Sequence, residues 1–197
     1  MVNSPGKASG PPGLTAHFAR NLDYYRPRPE QGPLDQRGGP RHSPRFVAHI
    51  HEKIDFTVAV FIVQDRKVLL VHHRKLNKWL PIGGHIDLDE DPEQAALREA
   101  KEESGFDVEL VGDRPPTTEA GTRALIAPRF LDIHRISDTH EHIGMIYWAR
   151  PSHGSMTLAP EEHHDICWRG PEELDALAPP MSGAVKWYCR KAIEELS

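Results

Sequence analysis

The sequence predicts an α/β chain of the α+β kind, with a mixed sheet layered against helices as in an α/β/α sandwich. Three observations carry that prediction. Short β-branched runs recur from Ile54 onward, helical stretches with legible ends lie between and after them, and no internal repeat is visible. A length of 197 residues suits one core plus extra segments.

The first segment stands apart. Residues 1–45 contain eight Pro and six Gly, including Pro11-Pro12-Gly13 and Gly38-Gly39-Pro40. Such a composition buries too little apolar area to offset its ordering entropy, so a mostly disordered tail is expected there, and a single domain over 46–197. Within the tail, Phe18 to Tyr25 places apolar residues at i, i+4, i+6 and i+7, the pattern of a short docking turn.

From Ile54 the texture changes. Phe56–Val63 reads as a largely buried strand, Gln64–Lys67 as a turn, and Val68–His73 as the second arm of a hairpin. Lys75–Trp79 is expected as a loop leading to the glycine pair Gly83-Gly84. The next helix has both ends written in the sequence. Asp91 suits the N-cap, Pro92 the first helical position, Gln94 a capping box, and Gly105 the position just past the end. Further strands are expected near Asp107–Val111, Arg129–Arg135, Ile143–Arg150 and Ile166–Trp168, and helices near Pro171–Leu177 and Ser182–Glu195.

Composition narrows the function classes. The apolar runs are far too short to span a bilayer, and no basic stretch precedes an apolar signal region, so a soluble cytoplasmic protein is expected. Cys167 and Cys189 have neither C-x-x-C spacing nor the number a disulfide framework needs. The net charge of −5 is uneven: residues 1–53 carry eight Lys/Arg against four Asp/Glu, and residues 54–197 sixteen against twenty-five. An acidic domain does not bind nucleic acid through a basic face; a phosphate substrate would need bound cations and a few placed Lys or Arg.

The helix from Pro92 to Ser104 supplies a place for those cations. At 100° per residue, Glu99, Glu102 and Glu103 share one face, while Ala96, Leu97, Ala100 and Ser104 share another, mostly small one suited to close packing on a sheet. Three like charges at i, i+3 and i+4 repel one another. A divalent cation relieves them, and oxygen donors favour Mg²⁺ or Mn²⁺, ions suited to phosphoanhydride hydrolysis.

The spacing is more specific than the acidity. Gly84-x5-Glu90-x7-Arg98-Glu99-Ala100-x-Glu102-Glu103-x-Gly105-Phe106 resembles the Nudix box, G-x5-E-x7-R-E-U-x-E-E-x-G-U, at all seven fixed positions. With each residue type at roughly one in fifteen, chance would produce that match in about one window per 10⁸. Ala100 is the one departure, smaller than the usual aliphatic residue but removing no metal-binding atom. The resemblance covers about residues 54–195.

What the resemblance implies can be written residue by residue. The fold would be the Nudix α/β/α sandwich, with Glu99, Glu102 and Glu103 binding Mg²⁺ (Mn²⁺ as the alternative) and the Gly84 carbonyl as a further ligand. Arg98 and Glu90 would pair to brace the helix. The general base would be Glu99 within the box or a downstream glutamate, for which Glu141, between His140 and His142, is the candidate; those histidines read as surface residues. Arg74 and Lys78 are placed to hold a phosphate and Trp79 to stack on a base, although a tryptophan beside a buried strand is commonly core.

The leading expectation is therefore a hydrolase acting on a nucleoside diphosphate linked to another moiety, with a nucleotide-type small molecule as its partner and a capped RNA end kept among the substrates. Two other readings belong to different classes. A regulatory domain would bind nucleotide without hydrolysis and would tolerate loss of carboxylates that are intact here. An isopentenyl-diphosphate-isomerase-like enzyme would need a nucleophilic cysteine, and nothing around Cys167 or Cys189 suggests activation.

Overall fold

A computed structural model describes residues 51–116 and 119–197, so the expectations for the tail and for Phe18 to Tyr25 lie outside the described residues. Eight strands form one sheet, ordered β3-β2-β1-β7-β5, with β4 beside β1, β6 beside β7 and β8 beside β2. They are β1 (Ile54–Gln64), β2 (Lys67–His73), β3 (Lys78–Leu80), β4 (Ile82–His85), β5 (Phe106–Val111), β6 (Phe130–Ser137), β7 (His140–Gly154) and β8 (His163–Arg169). The β1–β7 pair is parallel and the other pairs are antiparallel, which makes the sheet mixed.

Strand alternation divides the core into two layers. Val58, Val60 and Ile62 of β1, with Tyr147 and Ala149 of β7, face helix α1 (Pro92–Ser104). Phe61 and Val63, with Ile146 and Trp148, face helix α2 (Gly183–Leu196). Each fully buried aliphatic side chain contributes about 1.5–3 kcal/mol, so residues that fill both layers make β1 and β7 the spine of the sheet. The result is the expected sandwich: helix, sheet, helix.

Several local expectations are corrected. Lys78–Leu80 is a strand rather than loop, because His72 and His73 of β2 offer it an edge to pair with. The glycine pair lies within β4, where Gly83 and Gly84 pair with Ala59 and Val58. The helix expected near Pro171–Leu177 is only a 3-10 turn at Leu174–Ala176. Ala178 precedes Pro179, and a residue before proline is steered away from helical backbone. Leu97 is 42% exposed, so the packing face of α1 is Ala95, Ala96, Ala100 and Ser104 instead. Among the described residues no helix is long and apolar enough to cross a membrane.

Candidate active site

Helix α1 begins and ends where its capping residues say it should. The Asp91 carboxylate accepts from the Glu93 and Gln94 amides at 2.9 and 3.1 Å, and the Gln94 side chain accepts from the Asp91 amide at 2.9 Å. Gly105 closes the helix with φ 77°, a left-handed conformation that glycine takes without a side-chain penalty. These caps fix which residues of α1 meet β4.

Gly84 is where they meet. A Cβ placed on it would lie 2.4 Å from Glu99 Oε1, so only glycine lets the carboxylate lie against the strand. Glu103 reaches the same strand, its Oε2 accepting from the Gly83 amide at 3.0 Å. Both glutamates are buried, at 8% and 4% exposure, while the Glu102 side chain is 47% exposed. The cluster thus has two carboxylates set into the protein and one at its mouth.

A single guanidinium organises this charge. Arg98 grips Glu90 through two hydrogen bonds of 3.0 and 2.6 Å, donates to Glu99 at 2.8 Å and Glu102 at 3.2 Å, and reaches the His85 carbonyl at 3.1 Å. Its contact holds Glu90 below the usual carboxylate range. Glu99 moves the other way: burial first, then the charge of Glu103, push it up to about 7 despite Arg98. The donor types fit a hard divalent cation, since the Glu99 and Glu103 carboxylates both lie against β4 and oxygen is what such an ion prefers.

Histidine and glutamate from the start of β8 extend the cluster. Ligand atoms of Glu103, Glu162 and His163 lie within 4.8 Å of one another, with His163 Nε2 2.9 Å from Glu103 Oε1 and the ring fully buried. The sequence carried no signal for this, since Glu162-His163-His164 lies in a polar run whose register against β2 is set only by folding. Glu93 was also missed. It is buried in the first turn of α1, where its carboxylate takes Arg114 at 2.8 Å and the Ile126 amide, tying both residues to the helix.

The other expected residues are distributed differently. Trp79 is 5% exposed, donates from Nε1 to the Ala178 carbonyl at 3.1 Å and stacks on His72 at 5.1 Å, so it belongs to the α2-side core and has no open face for a base. Arg74 is exposed at the end of β2, with Nε on the Pro160 carbonyl at 2.7 Å and its amide on Glu162, which brings it beside the β8 entry. Lys78 is exposed at the start of β3. Glu141 does not join the carboxylates. It sits in register with Ile54, whereas Gly84 is level with Val58 and Met145, so Glu141 lies roughly 13 Å away along the strand, four residues at ~3.3 Å each. Its neighbour His140 is only 4% exposed, against the expectation of a surface residue, because it pairs with buried Asp55 across the sheet.

With this geometry in view, comparison with known proteins is decisive. The sequence model of the NUDIX domain matches residues 53–188. The chain belongs to the NUDIX hydrolase family. A crystal structure of a NUDIX-family hydrolase from Clostridium perfringens is 33% identical, superposes with a TM-score of 0.64, and covers 73% of this chain and 98% of that one. The CTP pyrophosphohydrolase of Escherichia coli is 30% identical over 132 residues, 64% of this chain and 82% of its own length. The m7GpppN-mRNA hydrolase NUDT17 of Xenopus laevis is 38% identical over 80 residues, 35% of this chain, and the match spans only 27% of that relative. A Caenorhabditis elegans Ap4A hydrolase shares the fold, with a TM-score of 0.55 over 72% of this chain and 97% of that one, at 19% identity.

Proposed function

We propose that this NUDIX protein hydrolyses a phosphoanhydride bond in a nucleoside diphosphate linked to another moiety, using Mg²⁺, or Mn²⁺, held by Glu99, Glu102, Glu103 and the Gly84 carbonyl. The observation that carries the proposal is the buried Glu99–Glu103 pair beneath Glu102, with Glu99 raised to about 7 and Gly84 shaped to receive it. Bound there, a divalent cation would polarise a phosphoryl oxygen, acidify a water and neutralise the leaving phosphate.

The chain's own residues supply the rest. Arg98 and Glu90 keep α1 against β4 so that the carboxylates hold their depth. Glu99, set against Gly84 of β4 within the cluster, is the first choice to take the proton of the attacking water. Glu162, beside Glu103, is the second choice for that role in place of Glu141. The remaining guanidinium donors of Arg74, and Lys78 on the neighbouring strand, are the groups proposed to hold the distal phosphate. Both curated relatives are named for nucleotide substrates with phosphoanhydride linkages, which supports this substrate class.

Burial pushes the Cys167 thiol up to about 11, and Cys189 is fully buried, so no activated thiol favours the isomerase reading. The test is a hydrolysis screen with Mg²⁺ over nucleoside triphosphates, nucleotide sugars, ADP-ribose, dinucleoside polyphosphates and capped RNA, run beside Glu102→Gln and Glu103→Gln. Turnover abolished in both variants supports the assignment. Nucleotide binding without turnover by the intact chain would favour the regulatory reading instead.

A further inference from the structure

The sheet face turned away from α1 carries a second convergence of metal-type donors. Asp55 on β1 and His142 on β7 are directly opposite in the parallel pair, and His85 on β4 is level with Thr57, two residues along the same face from Asp55. Three adjacent strands thus direct one ligand each to a common point. Ligand atoms of Asp55, His85 and His142 all lie within 4.8 Å of one another.

We propose that Asp55, His85 and His142 form a second divalent-metal site, of zinc-type nitrogen and oxygen chemistry, separate from the carboxylate cluster on α1. The Asp55 Oδ2 oxygen is 3.3 Å from His85 Nε2 and 3.1 Å from His140 Nε2. The Asp55–His85 separation matches the edge of a tetrahedron with metal–ligand bonds of about 2.0–2.1 Å, which is about 3.3 Å. The rings of His85 and His142 are 4.8 Å apart and nearly perpendicular, and His140 stands beside them, its ring 5.2 Å from that of His142.

Burial and the surrounding contacts agree with such a centre. Asp55 is fully buried and His140 is 4% exposed, an unusual place for a carboxylate and an imidazole unless charge is compensated. An outer ring of polar groups would orient the ligands: the His51 amide donates to Asp55 Oδ1 at 2.6 Å, His134 stands 5.7 Å from His142, and Asp132 links His134 to Tyr188 of α2. Imidazole nitrogens suit zinc better than Mg²⁺, and two of them with a carboxylate oxygen form a ligand set that zinc takes. Its function is to pin β4, β1 and β7 together. The His85 carbonyl receives Arg98 and the preceding residue is Gly84, so this pin also fixes the strand against which α1 packs.

The experiment uses the full chain carrying Glu102→Gln and Glu103→Gln, which weakens the box as a competing site. After dialysis against zinc in excess Mg²⁺, elemental analysis should find about one zinc per chain, and the cobalt-loaded protein should show the strong visible bands of four-coordinate cobalt. Adding His142→Gln, or independently His85→Gln, should weaken zinc retention at least about tenfold and abolish those bands, with circular dichroism confirming the fold. Absence of retained zinc in the host protein would overturn the proposal. So would retention unaffected by both histidine variants, which would place the metal elsewhere, as at Glu162 and His163.

Discussion

The two faces of the sheet bury opposite kinds of charge, and the same physical cause moves them in opposite directions. On the α1 face, desolvation and the charges of Glu103 and Glu102 raise Glu99 to about 7, with Arg98 opposing. On the other face, desolvation and the neighbouring His85, His134 and His140 lower His142 to about 4, with Asp55 opposing. Burial disfavours whichever form is charged, an anion in one case and a cation in the other. Glu99 therefore reaches neutral pH only partly charged and His142 uncharged, and each cluster presents donors that a different class of cation satisfies: oxygen for a hard ion, nitrogen for a borderline one.

The comparison can be broken most forcefully on the carboxylate face. Glu102→Gln or Glu103→Gln is expected to lower Mg²⁺-supported hydrolysis by about 100-fold or more without loss of melting temperature, a drop of several kcal/mol in transition-state stabilisation. A fall of less than threefold in steady-state assays would remove these residues from the reaction. Next in size is Arg98→Ala, which leaves Glu90, Glu99 and Glu102 without their shared cation. Because Arg98 is part-exposed, the expected cost is about 2 kcal/mol, below the 3–5 typical of a broken buried pair, and denaturant unfolding would measure it.

Titration separates the two faces by sign. A carboxylate raised from 4.5 to about 7 binds more protons in the folded state, so Glu99 makes the metal-free protein less stable as pH rises between those values, by a few kcal/mol. His142, lowered from 6.5 to about 4, binds fewer protons when folded and makes the protein more stable as pH rises from about 4 to 6.5. The two contributions oppose each other in wild type. Glu99→Gln should therefore expose a rising stability curve, His142→Gln a falling one, and melting curves taken with saturating Mg²⁺ should suppress the fall. Parallel curves for both variants would refute the assignment of opposite signs.

The smallest expected effect concerns Glu141. Its position away from the carboxylates leads us to expect less than about a tenfold change in kcat for Glu141→Gln, whereas a general base accounts for about 10²–10⁴. A larger loss, with the fold retained, would return it to the active site. Glu162→Gln, measured in the same assay, should be the more damaging of the two.

Local signals made α1 legible. Asp91, Pro92, Gln94 and Gly105 act on backbone groups within a few residues, and the i, i+3, i+4 spacing of the glutamates follows from helix geometry alone, so the box could be placed before any tertiary contact was known. Short β-branched runs likewise identified β1 and β2, and their succession with helices the sandwich. The limits arose where partners are distant in sequence. Trp79 became core because β3 found the edge of β2, and His163 reached Glu103 because β8 pairs with β2 in a particular register. Asp55, His85 and His142 carry no common motif, being separated by 30 and 57 residues, and converge only because β4, β1 and β7 are adjacent with those rows aligned. Short-range backbone chemistry determined the helix and its carboxylate face; strand order and register, which depend on the whole sheet packing at once, decided what surrounds them.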